Sequence, residues 1–90
     1  MLLNLELTGA FKRDLKRIKK QGKDMYKLDD VVQTIRNKIE LDAKYYNHPL
    51  RGDYKDCLEC HIQPDWLLIY KKEDAVLTLI RTGSHSELFE

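Results

Sequence analysis

Tyr54-Lys55-Asp56-Cys57-Leu58-Glu59-Cys60-His61-Ile62, Gln63-Pro64-Asp65 and Trp66-Leu67-Leu68-Ile69-Tyr70-Lys71 run consecutively. This stretch decides the fold. Proline presets a turn backbone and aspartate bonds its own main chain, so residues 63–65 read as a tight turn between two strands. Residues 66–71 are almost uninterruptedly apolar, the pattern of a central strand covered on both faces. Lys72-Glu73-Asp74 turns the chain again, and residues 75–82 return as a further strand ended by Gly83-Ser84. With connections this short, residues 54–82 predict a three-strand antiparallel meander. Ser84 can cap a last helical turn over residues 85–89.

Upstream of the meander the period changes. Leu3, Leu5 and Leu7 alternate with Asn4, Glu6 and Thr8, a half-buried first strand. Phe11, Leu15 and Ile18 then recur at helical spacing, and Gly22 supplies a left-handed stop. Asp24 can cap a second helix whose apolar stripe is Met25, Leu28, Val32, Ile35 and Ile39. Residues 41–52 lose periodicity, and Asn47-His48-Pro49 and Arg51-Gly52-Asp53 read as loop and turn. The order predicts an α+β fold: an N-terminal strand, a two-helix antiparallel hairpin, then the meander, in one domain spanning residues 1–90.

Ninety residues leave no room for a second core, and 42% hydrophobic with 34% charged residues excludes a disordered chain. No segment approaches the roughly 20 apolar residues that span a bilayer, so no membrane role is expected. The N-terminus has neither the basic start nor the apolar stretch of a secretory signal, which makes the expected location cytoplasmic. Net charge is only +1, yet residues 9–27 carry eight basic side chains against Asp14 and Asp24, a local +6. Lys12, Arg13, Lys16 and Arg17 head this segment. It suits either a phosphate backbone or simply a solvated helix face.

His48, His61 and His85 each lie near a turn, and Asp65 closes the turn after His61. Strand ends gather at the rim of a sheet, so these groups either converge as a general acid and base or remain separate surface residues. Three histidines with Asp65 also contain the donors of a zinc site, but no pair has the i, i+4 helical spacing such sites often use. Cys57-Leu58-Glu59-Cys60-His61 is literally C-x-x-C-H, the haem-attachment pattern. On a strand, however, Cys57 and Cys60 would point to opposite faces, and no export signal accompanies them. Two reduced cysteines, at least one buried, and no haem are therefore expected. Trp66 can stack on a base or sit in the core; Phe89 has less reason to be core and is the better stacking candidate. Tyr45 and Tyr46 mix aromatic with basic character beside Lys44 and His48. Arg81 has the fork that grips phosphate oxygens, and a surface salt bridge explains it equally.

Three ordered blocks resemble a known family. Asn47-His48-Pro49-Leu50-Arg51-Gly52, then Cys60-His61-Ile62-Gln63-Pro64-Asp65-Trp66-Leu67-Leu68-Ile69-Tyr70, then Arg81-Thr82-Gly83-Ser84-His85-Ser86-Glu87-Leu88-Phe89 are similar to the signature blocks of YafQ-type toxins in the RelE/ParE superfamily. The resemblance implies an mRNA interferase of a type II toxin–antitoxin system, a ribosome-dependent endoribonuclease cutting mRNA in the 30S decoding site. It also implies a cognate antitoxin as partner. The chemistry implied is attack of a 2′-hydroxyl on the adjacent phosphate, with His48 as base, His85 as acid, His61 and Asp65 orienting them, and Arg81 steadying the phosphate. Trp66 and Phe89 would hold bases, with Lys12, Arg13, Lys16 and Arg17 on the RNA backbone. No metal or other cofactor is implied, because the ribose supplies the nucleophile. One position departs from the pattern: Leu58 stands where relatives commonly carry a basic residue. A ParE-like reading, in which the chain poisons a protein such as DNA gyrase and cleaves nothing, shares the fold, so fold alone does not separate the two.

Overall fold

In a computed structural model, which describes residues 2–89, the chain forms a five-stranded mixed sheet packed under a helical hairpin. In chain order the elements are β1 (Asn4–Leu7), α1 (Gly9–Lys20), α2 (Met25–Arg36), β2 (His48–Pro49), β3 (Leu58–Gln63), β4 (Trp66–Glu73), β5 (Val76–Gly83) and α3 (His85–Phe89). The sheet order is β1-β5-β4-β3-β2. The expected meander β3-β4-β5 is antiparallel, and β1 adds to β5 in parallel across the hairpin crossover.

The apolar run of β4 is buried because both of its faces are covered. Trp66, Leu68 and Tyr70 join Phe11, Ile18, Leu28, Val31, Val32 and Ile35 beneath the helices. Leu67 and Ile69 point the other way, into a smaller cluster with Cys57 and Leu88. Side chains of this size contribute roughly 1.5–3 kcal/mol each when fully buried. Both helices have side-chain caps: Thr8 Oγ1 accepts from Phe11 N at 3.0 Å, and Asp24 Oδ1 from Tyr26 N at 3.0 Å. Gly22 has φ +77°, the left-handed turn that separates the helices.

Four details differ from the sequence reading. The second helix ends at Arg36, so Ile39 lies beyond it and is 61% exposed; Lys38 at φ +61° has already broken the helical path. Leu5 is exposed because β1 is an edge strand with β5 as its one partner. The third strand begins at Leu58 rather than Tyr54, since Gly52–Tyr54 forms a 3-10 turn. Within the expected loop, His48–Pro49 forms a short strand pairing with Glu59 and Leu58. This last difference matters for function, because that pairing places His48 directly opposite Glu59.

Candidate active site

The three histidines arrive at one rim of the sheet from three elements. His61 lies on β3, His48 on β2, and His85 opens α3 immediately after β5. Ring centroids are 6.2 Å apart for His48 and His61, and 5.7 Å for His61 and His85. A register shift between His61 and Gln63 bends β3 at this point, the kind of bulge that re-aims side chains beside a site.

Each outer histidine is held through Nδ1. The Nδ1 of His48 lies 2.6 Å from the carbonyl oxygen of Tyr46, and the Nδ1 of His85 lies 3.2 Å from Asp65 Oδ1. A carbonyl can only accept, so His48 donates from Nδ1 and keeps Nε2 for chemistry. Asp65 Oδ1 also accepts the backbone N–H of His85 at 3.2 Å, which pins the start of α3 to the β3–β4 turn. That backbone bond, and then the His85 ring, holds the Asp65 carboxyl below the usual carboxylate range, so it is an anion at neutral pH.

Between the rings sits a residue the sequence reading passed over. Glu59 is 4% exposed, and its Oε1 lies 3.3 Å from His48 Nε2 and 3.4 Å from His61 Nε2. A buried carboxylate shared by two imidazoles provides a place for a proton between them. Its signal was present in the sequence: Glu59 precedes His61 by two residues, and i, i+2 side chains share one face of a strand.

A second polar cluster lies behind the site and fixes α3. Asp14, 2% exposed, accepts from Arg81 Nε at 2.7 Å, Arg81 Nη2 at 3.1 Å, Arg17 Nη1 at 2.8 Å and Thr82 N at 3.1 Å. Burial pushes its carboxyl up, but the bonds from Arg81, Thr82 and Arg17 outweigh this and hold it below the ordinary value. Arg17 extends the cluster, donating to Thr82 O at 2.9 Å and pairing through Nε with Glu87 Oε2 at 2.9 Å. Glu87 Oε1 in turn accepts from Ser84 N at 2.8 Å, while Ser84 Oγ accepts from Glu87 N at 3.2 Å, a reciprocal cap on α3. The position of His85 thus depends on contacts reaching back to α1. Gly83 takes φ +155°, which a side chain rarely adopts, and a Cβ there would displace the ends of Arg17 and Glu87 from this cluster.

These contacts correct several expected roles. Trp66 is not a base-stacking platform: it is 1% exposed and its Nε1 donates to Thr82 Oγ1 at 2.9 Å. Arg17 is not a free RNA contact, being tied to Asp14, Thr82 and Glu87. Arg81 commits Nε and Nη2 to Asp14, which makes it foremost part of the scaffold. Lys12, Arg13 and Lys16 do lie exposed on α1. Phe89 is 47% exposed, edge-on to Tyr54 at 5.9 Å and 6.3 Å from His85, so its ring borders the histidines. Cys57 and Cys60 are both free and buried, in different clusters on opposite faces of the sheet. Burial pushes the Cys60 thiol up to about 12. The C-x-x-C-H string is therefore not a haem-attachment site in space.

Glu59, His61 and His85 each offer one ligand atom, all within 4.8 Å of one another, a donor set that fits a zinc- or copper-like cation. Without a cation the same atoms are one carboxylate and two imidazoles, groups able to exchange protons.

Fold and site together define a small α+β protein with three histidines and two carboxylates gathered at one rim of its sheet. The chain belongs to the YafQ family, described as a bacterial toxin of type II toxin–antitoxin systems, whose model matches residues 3–90. It is 41% identical to the mRNA interferase toxin YafQ of Escherichia coli K12 over 87 residues, 96% of this chain and 95% of that protein. The E. coli DinJ–YafQ toxin–antitoxin complex superposes with a TM-score of 0.91 at 38% identity, covering 100% of both chains. A metal-bound toxin from Helicobacter pylori superposes with a TM-score of 0.91 at 43% identity, covering 98% of this chain and 100% of that one.

Proposed function

We propose that this chain is the toxin of a type II toxin–antitoxin system and acts as an mRNA interferase, a ribosome-dependent endoribonuclease. The observation that carries the reading is the convergence of His48, His61 and His85 around Glu59 and Asp65 at one exposed rim. A protein that only binds a target needs no such set of proton-transfer groups.

In the reaction, His48 Nε2 removes the proton from a ribose 2′-hydroxyl, whose oxygen attacks the adjacent phosphorus. The bond from phosphorus to the 5′-oxygen of the next nucleotide breaks, and His85 delivers the proton to that oxygen. The products are a 2′,3′-cyclic phosphate and a free 5′-hydroxyl. Glu59 faces the charge that His48 carries once protonated, and with His61 links base to acid across the site. Asp65 holds His85 in one tautomer, leaving Nε2 to donate. Positioned acid–base groups of this kind contribute roughly 10²–10⁴-fold each. A divalent cation, where bound, would be held by Glu59, His61 and His85 and would occupy lone pairs that the proton transfers need.

The partner is a cognate antitoxin, as the DinJ–YafQ complex indicates for its E. coli relative. Exposed Lys12, Arg13, Lys16, Lys19 and Lys20 on α1 suit an acidic segment or ribosomal RNA. The site of action proposed is the cytoplasm, where the mRNA of a bacterial cell is translated; among the described residues no helix is long and apolar enough to cross a membrane. The test is mRNA cleavage in a reconstituted translation system, with and without ribosomes, comparing wild type with His85→Ala. Cleavage that requires ribosomes and falls by about 10²-fold or more in the variant is expected. A folded wild type that cleaves nothing would overturn the reading in favour of a toxin that acts by binding.

A further inference from the structure

A groove of about 680 Å³ opens beside the histidine cluster, bounded by Lys27 of α2, the segment Lys44–Tyr46, and His61 and Ile62 of β3. Its size suits a single nucleotide unit. Tyr46 stands where groove and cluster meet: the residue is 69% exposed, and its ring lies 5.7 Å from that of His61, tilted by 55°. Tyr26 is more exposed still, but Tyr46 is the one of the two that lines this groove and stands beside a histidine, where a base offers its ring a stacking partner.

The backbone at Tyr46 points the same way. Its φ of 49° and ψ of 45° put a bulky residue in the left-handed region, which costs on a scale that only surrounding structure sustains. That conformation accompanies the 2.6 Å contact from its carbonyl to His48 Nδ1. The next residue is anchored too, because Tyr70 Oη donates to Asn47 Oδ1 at 2.6 Å. One strained residue therefore orients the proposed base through its main chain and presents a flat ring to the groove.

The rings run in the order Tyr46, His61, His85, Phe89 across the rim. His85, at the Phe89 end, protonates the departing 5′-oxygen, so the nucleotide 3′ to the cut lies there. His48, oriented by Tyr46, takes the 2′-proton, so the nucleotide 5′ to the cut lies at the opposite end. We propose that the groove is the subsite for the nucleobase on the 5′ side of the scissile phosphate, with Tyr46 as its stacking platform and Lys27 and Lys44 as cations at its edge. This rests on the endoribonuclease reading above and adds to it the placement of substrate.

The probe is a short RNA made uncleavable by a 2′-deoxy sugar 5′ to the scissile phosphate, titrated into ¹⁵N-labelled full chain. Shifts are expected at Tyr46, Lys27 and Gln63. Tyr46→Asn tolerates the left-handed backbone and so keeps the carbonyl bond to His48 while removing the ring. It should weaken probe binding on the order of 10-fold, whereas Tyr46→Phe binds as wild type. In translation-coupled cleavage Tyr46→Asn should raise KM with kcat within a few-fold of wild type. Unchanged probe affinity in Tyr46→Asn, or shifts confined to α1, would overturn the subsite while wild-type cleavage left the enzyme reading standing. Absence of cleavage by wild type would overturn both.

Discussion

Replacing Asp14 by Asn tests whether the scaffold behind the site is an ion cluster or merely a set of close contacts. The carboxylate side chain is 3% exposed and accepts four hydrogen bonds, three of them from guanidinium groups. An amide of the same shape has one oxygen, and its NH₂ must face a guanidinium or the Thr82 N–H, donor against donor. Arg17 and Arg81 then remain 33% and 24% exposed with no carboxylate between them. Removing one partner of a buried pair costs about 3–5 kcal/mol. Partial solvation of both arginines moves the expectation to the low end, about 3 kcal/mol. Against a typical total of about 5–15 kcal/mol, the variant should still fold.

Urea unfolding at neutral pH reads the loss. Because the folded Asp14 carboxyl lies below its ordinary value, its contribution is fully present above the unfolded carboxylate range. It is lost as pH falls through the folded value. The gap between wild type and Asp14→Asn should therefore narrow only in strong acid, below roughly pH 4. Adding Arg81→Met to Asp14→Asn should cost at least about 1 kcal/mol less than adding it to wild type, since that arginine has already lost its partner. A loss under about 1 kcal/mol at neutral pH, or additive variants, would refute the account of a charge cluster holding α1 to β5.

Two further outcomes follow from the placement of site residues. Trp66 is the only tryptophan in the chain and is 1% exposed, so its emission should be blue-shifted, resistant to iodide and unaltered by RNA; quenching on RNA addition would return the ring to the substrate contacts. Zn²⁺ should inhibit cleavage by occupying the lone pairs of Glu59, His61 and His85, with EDTA restoring activity. Calorimetry should show weaker Zn²⁺ binding in Glu59→Gln, and unchanged binding would place the ion elsewhere.

The apolar elements were legible because burial imposes a period. The run from Trp66 to Tyr70, the stripe Phe11–Ile18 and the turn at Pro64 each lie where sheet and helix geometry require. Boundaries were less legible, since they depend on partners distant in sequence. Ile39 continued the helical spacing, yet the chain had turned left-handed at Lys38. His48 and Pro49 carry no strand signal of their own; they are a strand because β3 offers an edge there. The histidines and Asp65 could be nominated from their positions at turns, but convergence required the sheet.

The residues that escaped are charged groups turned inward, and they share a cause. A sequence pattern assigns Asp14 and Glu59 to solvent because a lone buried charge is prohibitively costly. What makes burial tolerable is a partner from another element: Arg81, 67 positions from Asp14, and His48 across the β2–β3 pairing from Glu59. The same exchange explains why Arg17 and Arg81 looked like ligands for phosphate. A guanidinium that will satisfy a buried carboxylate and one that will meet RNA are the same residue type until the acceptor is known. Of the basic residues nominated for RNA, the two most tightly paired in the fold are therefore those whose substitution should disturb His85 through α3 rather than through direct loss of a phosphate contact.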